Sequence, residues 1–435
     1  MKKTLLTLAV TGLTLLGLAS CNNNTSSSST PTPSTSSSST PTPSTSSTAT
    51  PSTTSTVGAT DTIRVSGPAE HQEFVLNKLA ELKASNTAFA NVAFEYLQIG
   101  EDKVDSSVTD WSQGPDVYAY ASDKILDLNK AGAMATVPQT YADELLDQMG
   151  ETVLSAATLG GELKAYPYAG DNGYFLYYDK SALEAADIES IEGLLAKAGE
   201  LGRKVAYPFK TPFYNFGALF TWGADYQITL SDEGTLTKID GDFDSEKGIK
   251  AAKAILKIMR DANWQDSQAA PTAENGLVAC VDGGWNASAY QAALGNNFGC
   301  AKMPTVTIDG ETKTLSSFLG YKLYGVNPLR GNEAHVELSH MVAKYLVSDA
   351  VQESRYDTLS IVPTSTAVKA LDKVAASPVA AALSAQSAYA HPQGATPGTV
   401  WSCTNTFITD IEAGTVTEDN IAEYMASVNT LLETI

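Results

Sequence analysis

The 435-residue chain has few of the side chains from which disulfide frameworks and transition-metal sites are built. It contains four cysteines and four histidines, at Cys21, Cys280, Cys300, Cys403, His71, His335, His340 and His391. None of these residues has the close spacing of a zinc motif, so no metal site and no cofactor are predicted. Three cysteines beyond Cys21 are too few for a disulfide scaffold. Cys280 and Cys300 lie in apolar runs that could be neighbouring strands, where they either form one disulfide or remain buried free thiols.

Basic residues are also in the minority. The chain has 28 Lys and Arg against 49 Asp and Glu, for a formal net charge of −21. Phosphate backbones repel so acidic a surface, so nucleic acid is not expected as a partner. Signatures of catalysis are missing too: there is no Gly-x-Ser-x-Gly and no phosphate-binding loop, and acidic pairs are too frequent to single out two glycosidase carboxylates. The sequence therefore predicts no enzyme.

Long apolar runs are scarce after the first 20 residues. There, Lys2 and Lys3 precede an apolar run from Leu5 to Leu18, which ends in Leu-Ala-Ser-Cys21. The run is too short to span a bilayer but has the order of a secretory signal. Leu-Ala-Ser-Cys resembles the lipobox of bacterial lipoproteins, which implies a signal peptide at 1–20. It also implies lipid chains, palmitate among them, on Cys21 that anchor the protein to the outer face of the cell membrane. The alternative is a plain signal peptide with an incidental cysteine.

Residues 21–57 are almost entirely Ser, Thr, Pro and Asn, and the decapeptide SSSSTPTPST at 26–35 recurs at 36–45. Such a composition cannot bury enough apolar surface to fold, so it predicts a flexible tether. Its end-to-end distance would be on the order of 30 Å. The remaining residues, 58–435, are too many for one ordinary core and predict two lobes.

The folded part begins with alternating strand and helix patterns. Strands are predicted over 61–66, 91–99 and 117–120, with a helix over 70–84. This alternation is typical of a parallel α/β sheet with helices on its faces, in which ligands bind beyond the carboxyl ends of the strands. Tyr120, Asp123 and Lys124 stand at such an end.

Residues 165–178 read AYPYAGDNGYFLYY, two aromatic strand patterns divided by Gly170-Asp-Asn-Gly173. Glycine, aspartate and asparagine tolerate unusual backbone dihedrals, so the pattern predicts a flexible break that acts as a hinge, with Asp171 inside it. The alternative is an ordinary surface β-turn. Further on, a strand over 276–285 delivers Trp285, and 318–326 is predicted to cross the hinge region a second time.

Aromatic residues recur at the predicted ends of strands and helices, each beside a polar group. They are Tyr120 with Asp123 and Lys124, Tyr168 with Asp171, Phe213 with Tyr214, Trp285 with Asn286, and Trp401. A sugar presents a flat apolar face and a fringe of hydroxyls, so its site needs aromatic rings beside carboxylate, amide or cationic groups. A core role is the alternative for each single ring, but the repeated pairing favours a carbohydrate site.

Four motifs follow one another along the chain in a characteristic order: Gly114-Pro-Asp-Val117, the stretch Ala165–Lys180, Asp282-Gly-Gly-Trp285, and Lys302-Met-Pro-Thr305. In this order the chain from residue 61 onward resembles the carbohydrate-binding extracellular solute-binding proteins of bacterial ABC importers, maltose and maltodextrin-binding proteins above all. The resemblance implies a two-lobed periplasmic-binding-protein-like α/β fold, each lobe a sheet flanked by helices, with a multi-strand hinge. Lobe 1 is then 58–168 with 321–368, and lobe 2 is 169–320 with 369–435.

The resemblance also implies a set of sugar-binding residues. Tyr120 stands where the family has a stacking tryptophan, and Trp285 and Trp401 stand where it has two more. Asp123 and Lys124 take the positions of a hydroxyl-binding Asp-Arg pair, and Asp171 takes that of a glutamate in the hinge. Phe213 and Tyr214 take the positions of two aromatic contacts. There are departures. Pro68-Ala69 replaces an Asp-Lys pair, with Glu70 and His71 as stand-ins, and Thr211 replaces a glutamate. Lysine at 124 lacks the bidentate fork of arginine.

Together these features predict a monomeric, non-catalytic receptor of an ABC importer. It would capture an oligosaccharide, expected to be a maltodextrin-like α-glucan, between its lobes, close on it and deliver it to the membrane permease. Three alternatives stay open: a receptor for a different oligosaccharide, a surface glycan-binding adhesin, and a secreted glycan-active enzyme.

Overall fold

The computed structural model describes residues 61–435, in which sixteen strands and sixteen α-helices form. The strands are β1 Asp61–Gly67, β2 Val92–Gln98, β3 Val117–Ala121, β4 Thr158–Leu159, β5 Glu162–Leu163, β6 Ala165–Asp179, β7 Lys204–Ala206, β8 Tyr226–Leu230, β9 Leu236–Gly241, β10 Trp264–Gln265, β11 Leu277–Gly283, β12 Phe298–Ala301, β13 Thr305–Ile308, β14 Glu311–Thr314, β15 Ser317–Val326 and β16 Ala390–Pro392. The helices are α1 Gln72–Ser85, α2 Val104–Ser107, α3 Ile125–Lys130, α4 Gln139–Met149, α5 Glu151–Ser155, α6 Ile191–Glu200, α7 Pro212–Leu219, α8 Glu246–Met259, α9 Ala287–Leu294, α10 Glu333–Leu346, α11 Asp349–Leu359, α12 Thr366–Lys369, α13 Asp372–Ala375, α14 Pro378–Ser387, α15 Asn405–Glu412 and α16 Ile421–Leu432.

The predicted signal peptide at 1–20 and the tether at 21–57 with Cys21 lie outside the described residues. Among residues 61–435, no helix is both long and apolar enough to cross a membrane.

The central sheet runs through both lobes in the order β10-β7-β11-β6-β15-β3-β1-β2, with β12 and β16 joined to β6 and β15. At one end, β1 pairs in parallel with β2 and β3. At the other end, β7 pairs in parallel with β10 and β11. Two antiparallel strands, β6 and β15, lie between these parallel groups. The prediction of parallel α/β units on either side of a multi-strand crossing is therefore confirmed.

Strand β6 is the longest strand in the described chain, and it passes through both lobes without a turn. Its first half pairs with β15, as in Tyr166 with Tyr324, and its second half pairs with β11, as in Tyr177 with Cys280. The chain continues through 170–173 as one extended strand, so the predicted division into two strands was wrong, and so was the surface β-turn; the hinge role of this stretch stays a prediction. Ladder partners on both sides keep the segment extended although the β6–β15 register shifts beside Gly170 and Asp171, and this tertiary pairing outweighs the local turn preference of Gly-Asp-Asn-Gly.

Apolar residues collect in separate groups on the two sides of this crossing. One core, around Val65, Tyr324 and Val342, is built from strands and helices of the region predicted as lobe 1. Another, around Phe216 and Ile255, is built from residues of the region predicted as lobe 2. Each core fills the space between the sheet and the helices on its face, as expected for α/β layers.

The β8–β9 hairpin, which belongs to the region predicted as lobe 2, reaches across to lobe 1. Its Ile228 and Leu230 pack against the cluster that contains Trp111 and Tyr118. At the tip of the hairpin, Asn129 Nδ2 donates a hydrogen bond of 3.2 Å to the carbonyl oxygen of Glu233. The regions predicted as lobe 1 and lobe 2 therefore contact each other at this hairpin as well as along the crossing strands.

Cys280 and Cys300 are both free, and the sheet explains why. Cys280 on β11 and Cys300 on β12 pair with the same residue, Tyr177, from opposite sides of β6. A strand between them separates their backbones by about two interstrand spacings, roughly 9.5 Å, which is too far for a disulfide. Of the two alternatives, the structure therefore selects free thiols.

The Gly114-Pro-Asp-Val117 motif contains a buried acid, Asp116, that ties three elements together. Asp116 accepts hydrogen bonds from the Arg64 backbone N–H at 2.7 Å, Arg330 Nε at 2.8 Å and His335 Nε2 at 2.8 Å. The other ring nitrogen of His335 lies 3.0 Å from Asp61 Oδ1. Because both nitrogens face carboxylates, the doubly protonated imidazolium fits best here. The hydrogen bond to Asp116 is the main cause that raises the pKa of His335 above its ordinary value.

This raised pKa makes stability depend on pH. A histidine whose folded pKa is raised stabilises the fold fully below its ordinary pKa of 6.5 and loses that contribution as pH rises through the folded value. We expect the free energy of unfolding to fall as pH rises above 6.5, and to fall less in His335→Gln. His340, whose pKa burial lowers to about 4, stays neutral throughout this range. Urea unfolding of wild type and His335→Gln at several pH values gives the free energy of unfolding of each protein as a function of pH. The same dependence on pH in both proteins would contradict the prediction.

Candidate functional site

Four aromatic side chains from separate elements form a panel, which comprises Phe213, Trp285, Phe318 and Trp401. The ring centroid of Phe213 lies 5.8 Å from that of Trp285, 5.6 Å from Phe318 and 6.4 Å from Trp401. Trp285 is 39% exposed, and Phe213 and Trp401 are half-buried. Phe318 is fully buried, so the three partly exposed rings are those that can stack against the apolar face of a ligand.

Local structure accounts for this convergence. Phe213 is in the first turn of α7, which Pro212 starts with its preset dihedral. Trp285 lies two residues after Gly283, the last residue of β11, and Trp401 ends a short 3-10 turn, Gly398–Trp401. The structure thus places Trp285 after a strand end and brings Phe213 and Trp401 close together beside it, while the roles of these three residues as sugar contacts stay predictions.

The turn that carries Trp285 is held by the buried carboxylate of Asp282. This group accepts hydrogen bonds from Tyr214 Oη at 2.6 Å and from Asn286 Nδ2 at 2.8 Å, and another from the Tyr290 hydroxyl. Tyr214 is only 1% exposed. The predicted ligand contact at Tyr214 is therefore a buried ring in this structure, and its hydroxyl positions the Trp285 turn through Asp282.

Two glycines let the Trp285 turn lie close against its surroundings. A Cβ on Gly284 would stand 2.9 Å from the Asp171 carbonyl oxygen, so this turn packs directly on the crossing strand β6. A Cβ on Gly283 would overlap the Trp285 ring, because three ring atoms would lie within 2.3 Å of it. Asp171 and Trp285, which the sequence placed in different elements, are thus neighbours.

A group of charged side chains lies beside Trp285 on the crossing strands. Lys322 Nζ, on β15, is 3.5 Å from Glu101 Oε2, 4.0 Å from Asp171 Oδ1 and 5.8 Å from the centroid of the Trp285 ring. We call Glu101, Asp171 and Lys322 the hinge cluster. All three are largely shielded, and Glu101 also accepts a hydrogen bond from the Tyr168 hydroxyl.

Burial and neighbouring charges shift the pKa values of Asp171 and Lys322. Burial raises the pKa of Asp171, and the positive charge of Lys322 lowers it by a smaller amount. Burial also works to lower the pKa of Lys322, but the carboxylates of Glu101 and Asp171 outweigh it and hold that pKa above its ordinary value. Lys322 is therefore a fixed positive charge at neutral pH.

Asp123 and Lys124 form a second polar group. Asp123 Oδ1 accepts a 3.0 Å hydrogen bond from Gln393 Nε2, and its other oxygen lies 3.8 Å from Lys124 Nζ. Gln393 in turn accepts from Asn172, the residue after Asp171 on β6. Burial raises the pKa of Asp123 to about 7. The predicted Asp-Lys pair is thus present and linked to the crossing strand through Gln393.

Tyr120 does not join the aromatic panel in this conformation. Its ring is fully buried, with its centroid 5.7 Å from that of Tyr118. Side chains two apart on a strand share a face, so Tyr120 follows Tyr118 into the core. Its hydroxyl has no hydrogen-bond partner among the described residues.

Four residues of this region escaped the sequence reasoning: Glu101, Phe318, Lys322 and Gln393. Two of them have a feature in the sequence that could have identified them. Lys322 is the one charged residue in the strand sequence SFLGYKLYGV, and Glu101 comes soon after the carboxyl end of β2, where ligand-binding groups collect. The predicted stand-in His71 lies near this cluster, whose charges act on its pKa, although burial is the main cause that lowers it.

The chemistry available here is stacking and hydrogen bonding. Aromatic faces stand beside carboxylates, an ammonium and amides, which together match the apolar face and the hydroxyl fringe of a sugar. Among residues 61–435, no group of three or more His, Cys, Asp and Glu side chains is arranged to hold a metal ion.

Comparison with known proteins agrees with this fold. Residues 83–382 match a family model described as bacterial extracellular solute-binding protein. A solved structure of a protein with acarbose is 28% identical over 86% of this chain and 99% of its own, with a TM-score of 0.74. A maltodextrin-binding protein from L. casei BL23 without ligand is 20% identical over 86% of this chain and 100% of its own, with a TM-score of 0.74.

A maltose/maltodextrin-binding domain from Bdellovibrio bacteriovorus bound to maltotriose is 18% identical over 85% of this chain and 99% of its own, with a TM-score of 0.70. No curated protein matches the chain in sequence. These structures confirm the predicted two-lobed α/β fold.

Gly283 offers a test of how the Trp285 ring is seated. Its backbone, at φ −80° and ψ 163°, accepts an alanine, but the new Cβ would displace the Trp285 ring toward solvent. We expect Gly283→Ala to change the free energy of unfolding by less than about 1 kcal/mol. We expect acrylamide quenching of tryptophan fluorescence to increase. The same substitution in a Trp285→Phe background is the control, and equal increases in both would show that another tryptophan responds.

Proposed function

The chain belongs to the family of bacterial extracellular solute-binding proteins, and we propose that it is the substrate-binding receptor of an ABC importer for an oligosaccharide. The observation that carries this proposal is the aromatic panel, which stands next to the hinge cluster where the crossing strands join the lobes. Rings and charged hydroxyl-binding groups within a few ångströms of one another suit a sugar better than a purely apolar or purely ionic ligand.

The proposed ligand is a maltodextrin-like α-glucan. Two of the solved structures that resemble this chain are of proteins with acarbose and with maltotriose. Both ligands are built from glucose-like rings. In the proposed complex Trp285, Phe213 and Trp401 stack on sugar rings, while Asp171, Asp123 and Lys124 bind hydroxyls. Tyr214 supports the Trp285 turn, and Tyr120 is a ligand contact only if lobe movement exposes it.

Closure would follow from contacts that the ligand makes with both lobes at once. We assign 58–168 with 321–368 to lobe 1 and 169–320 with 369–435 to lobe 2, and the long strands β6 and β15 connect them. A ligand shifts a two-state equilibrium only by its difference in affinity for the two states. A sugar that contacts Trp285 in lobe 2 and Asp123 in lobe 1 at the same time has a higher affinity for the closed state. It therefore shifts the equilibrium toward closure.

We further propose that the protein works as a monomer held at the outer face of the bacterial membrane by lipid chains on Cys21, palmitate among them. Residues 1–20 would be removed as a signal peptide, and the tether 21–57 would leave the lobes free to reach the permease subunits. The proposal includes no catalytic step, because the site offers binding groups and the family consists of binding proteins. Two experiments test the anchor: inhibition of signal-peptide removal by globomycin, and incorporation of radiolabelled palmitate. We expect both to be observed in wild type and lost in Cys21→Ala.

A fluorescence titration of residues 59–435 distinguishes the candidate functions. Maltose, maltotriose, longer maltodextrins and unrelated oligosaccharides are added in turn while tryptophan emission is recorded. Saturable binding of the α-glucans supports the proposal, whereas a response to another sugar alone keeps the receptor and changes its ligand. Binding to immobilised polysaccharide without oligosaccharide affinity would indicate an adhesin, and turnover of a glycan would indicate an enzyme.

Trp285 is expected to be the main stacking residue. We expect Trp285→Ala to weaken sugar binding by about 2 kcal/mol or more, roughly 30-fold, as truncation of an aromatic anchor does. Calorimetric titration gives the affinity. Trp222→Phe is the control for loss of a tryptophan, because Trp222 is not one of the panel rings and donates its indole N–H to Glu311. A folded Trp285→Ala protein with unchanged affinity would remove Trp285 from the site.

A further inference from the structure

Lys322 is an unusual residue for its position. It is 6% exposed and lies in the crossing strand β15, whose neighbouring residues Leu323 and Tyr324 are buried in apolar clusters. Burying an ammonium is costly unless its charge and its N–H donors are matched. The two carboxylates that face it provide the charge, but at 3.5 and 4.0 Å both are beyond an ordinary hydrogen bond.

The two facing carboxylates are not equivalent. Glu101 is engaged from its other oxygen by the Tyr168 hydroxyl, so it is fixed as a counter-charge. Asp171 Oδ1, by contrast, is buried and has no hydrogen-bond partner among the described residues. Unpaired buried acceptors are rare because each costs free energy. The incomplete part of the cluster is therefore the gap between Lys322 and Asp171.

The width of this gap suits one hydroxyl group. An oxygen about 2.8 Å from each atom bridges the 4.0 Å between Lys322 Nζ and Asp171 Oδ1, with an angle of roughly 90° at the hydroxyl. A hydroxyl accepts from the ammonium and donates to the carboxylate at the same time. A ligand carboxylate cannot donate to Asp171, and a ligand ammonium cannot accept from Lys322.

The neighbouring ring indicates which hydroxyl would enter. The Trp285 ring centroid is 5.8 Å from the same Nζ atom, so a sugar stacked on Trp285 places its equatorial fringe beside the ammonium. We propose that Lys322 is a direct ligand contact which, with Asp171, forms a subsite for one uncharged ring hydroxyl and so selects neutral sugars at this position. The inference rests on the proposed function, because it names the group of the sugar that this part of the site recognises.

The competing explanation is that Lys322 and Glu101 form a purely structural ion pair. A thermodynamic cycle that combines protein variants with ligands lacking single hydroxyls distinguishes this explanation from the proposed subsite. The probes are maltotriose and its monodeoxy analogues, each lacking one hydroxyl, titrated by calorimetry. The proteins are wild type, Lys322→Met, and the double variant Lys322→Met/Glu101→Gln, which removes both members of the ion pair and so restores charge balance. Lys313→Met, on the exposed hairpin strand β14, is the control for loss of a lysine.

We expect one monodeoxy analogue to bind wild type about tenfold or more weakly than maltotriose, since a hydrogen bond to a charged group is lost. In both Lys322 variants maltotriose itself should bind about tenfold or more weakly, and removal of that hydroxyl should make little further difference. Lys313→Met should behave as wild type.

Three results would overturn the inference. A folded double variant that binds maltotriose with wild-type affinity would make Lys322 a structural residue, and so would an analogue penalty that persists undiminished in both Lys322 variants. Equal affinity of wild type for every monodeoxy analogue would remove the hydroxyl subsite. In these cases wild type still binds maltotriose, so the receptor function stands. Wild type that binds no oligosaccharide at all would reject the receptor function and this inference together.

Discussion

The sharing of two antiparallel strands between the lobes is the constraint on which the rest of the structure depends. Because β6 runs through both lobes, Asp171, Lys322 and Trp285 are placed relative to the same hydrogen-bonded ladder. Asp171 and Lys322 lie on the two shared strands, and Trp285 follows β11, which pairs with β6. The pairing of β15 with β6 shifts register on both sides of Lys322. A lobe rotation therefore has an irregular stretch of ladder in which to bend, next to the hinge cluster.

Electrostatics adds a second requirement. The chain is strongly acidic, and its site brings carboxylates into a poorly solvated region where burial raises the pKa of Asp171 and brings that of Asp123 to about 7. Lys322 and Lys124 reduce the repulsion among these acids. Low local polarity makes each hydrogen bond to a ligand stronger, and the same low polarity makes an unpaired oxygen costly. The proposed site would thus give up some stability of the unliganded fold in favour of binding strength, as functional sites commonly do.

Sequence reasoning succeeded where a residue's role follows from its immediate neighbours along the chain. The Gly-Pro-Asp turn, the strand that ends before Trp285, and the alternation of strands and helices are local patterns with one reasonable structural outcome. It failed at Gly170–Gly173, where ladder partners from distant strands hold extended a segment that alone favours a turn. It also placed Tyr120 at the site, whereas the alternation of side chains along β3 turns that ring into the core beside Tyr118.

The amino-acid sequence by itself determined the class of fold and the two-lobed organisation, and it indicated some, not all, of the aromatic and charged residues from which we propose that a sugar site is assembled. Those properties depend on hydrophobic periodicity, turn residues and the order of motifs, all of which are read along one dimension. Only the tertiary structure decided that Lys322 faces Asp171 across a hydroxyl-sized gap beside Trp285, and that Cys280 and Cys300 flank one strand. Such pairings depend on strand register, and register is set by the packing of residues that are far apart in the chain.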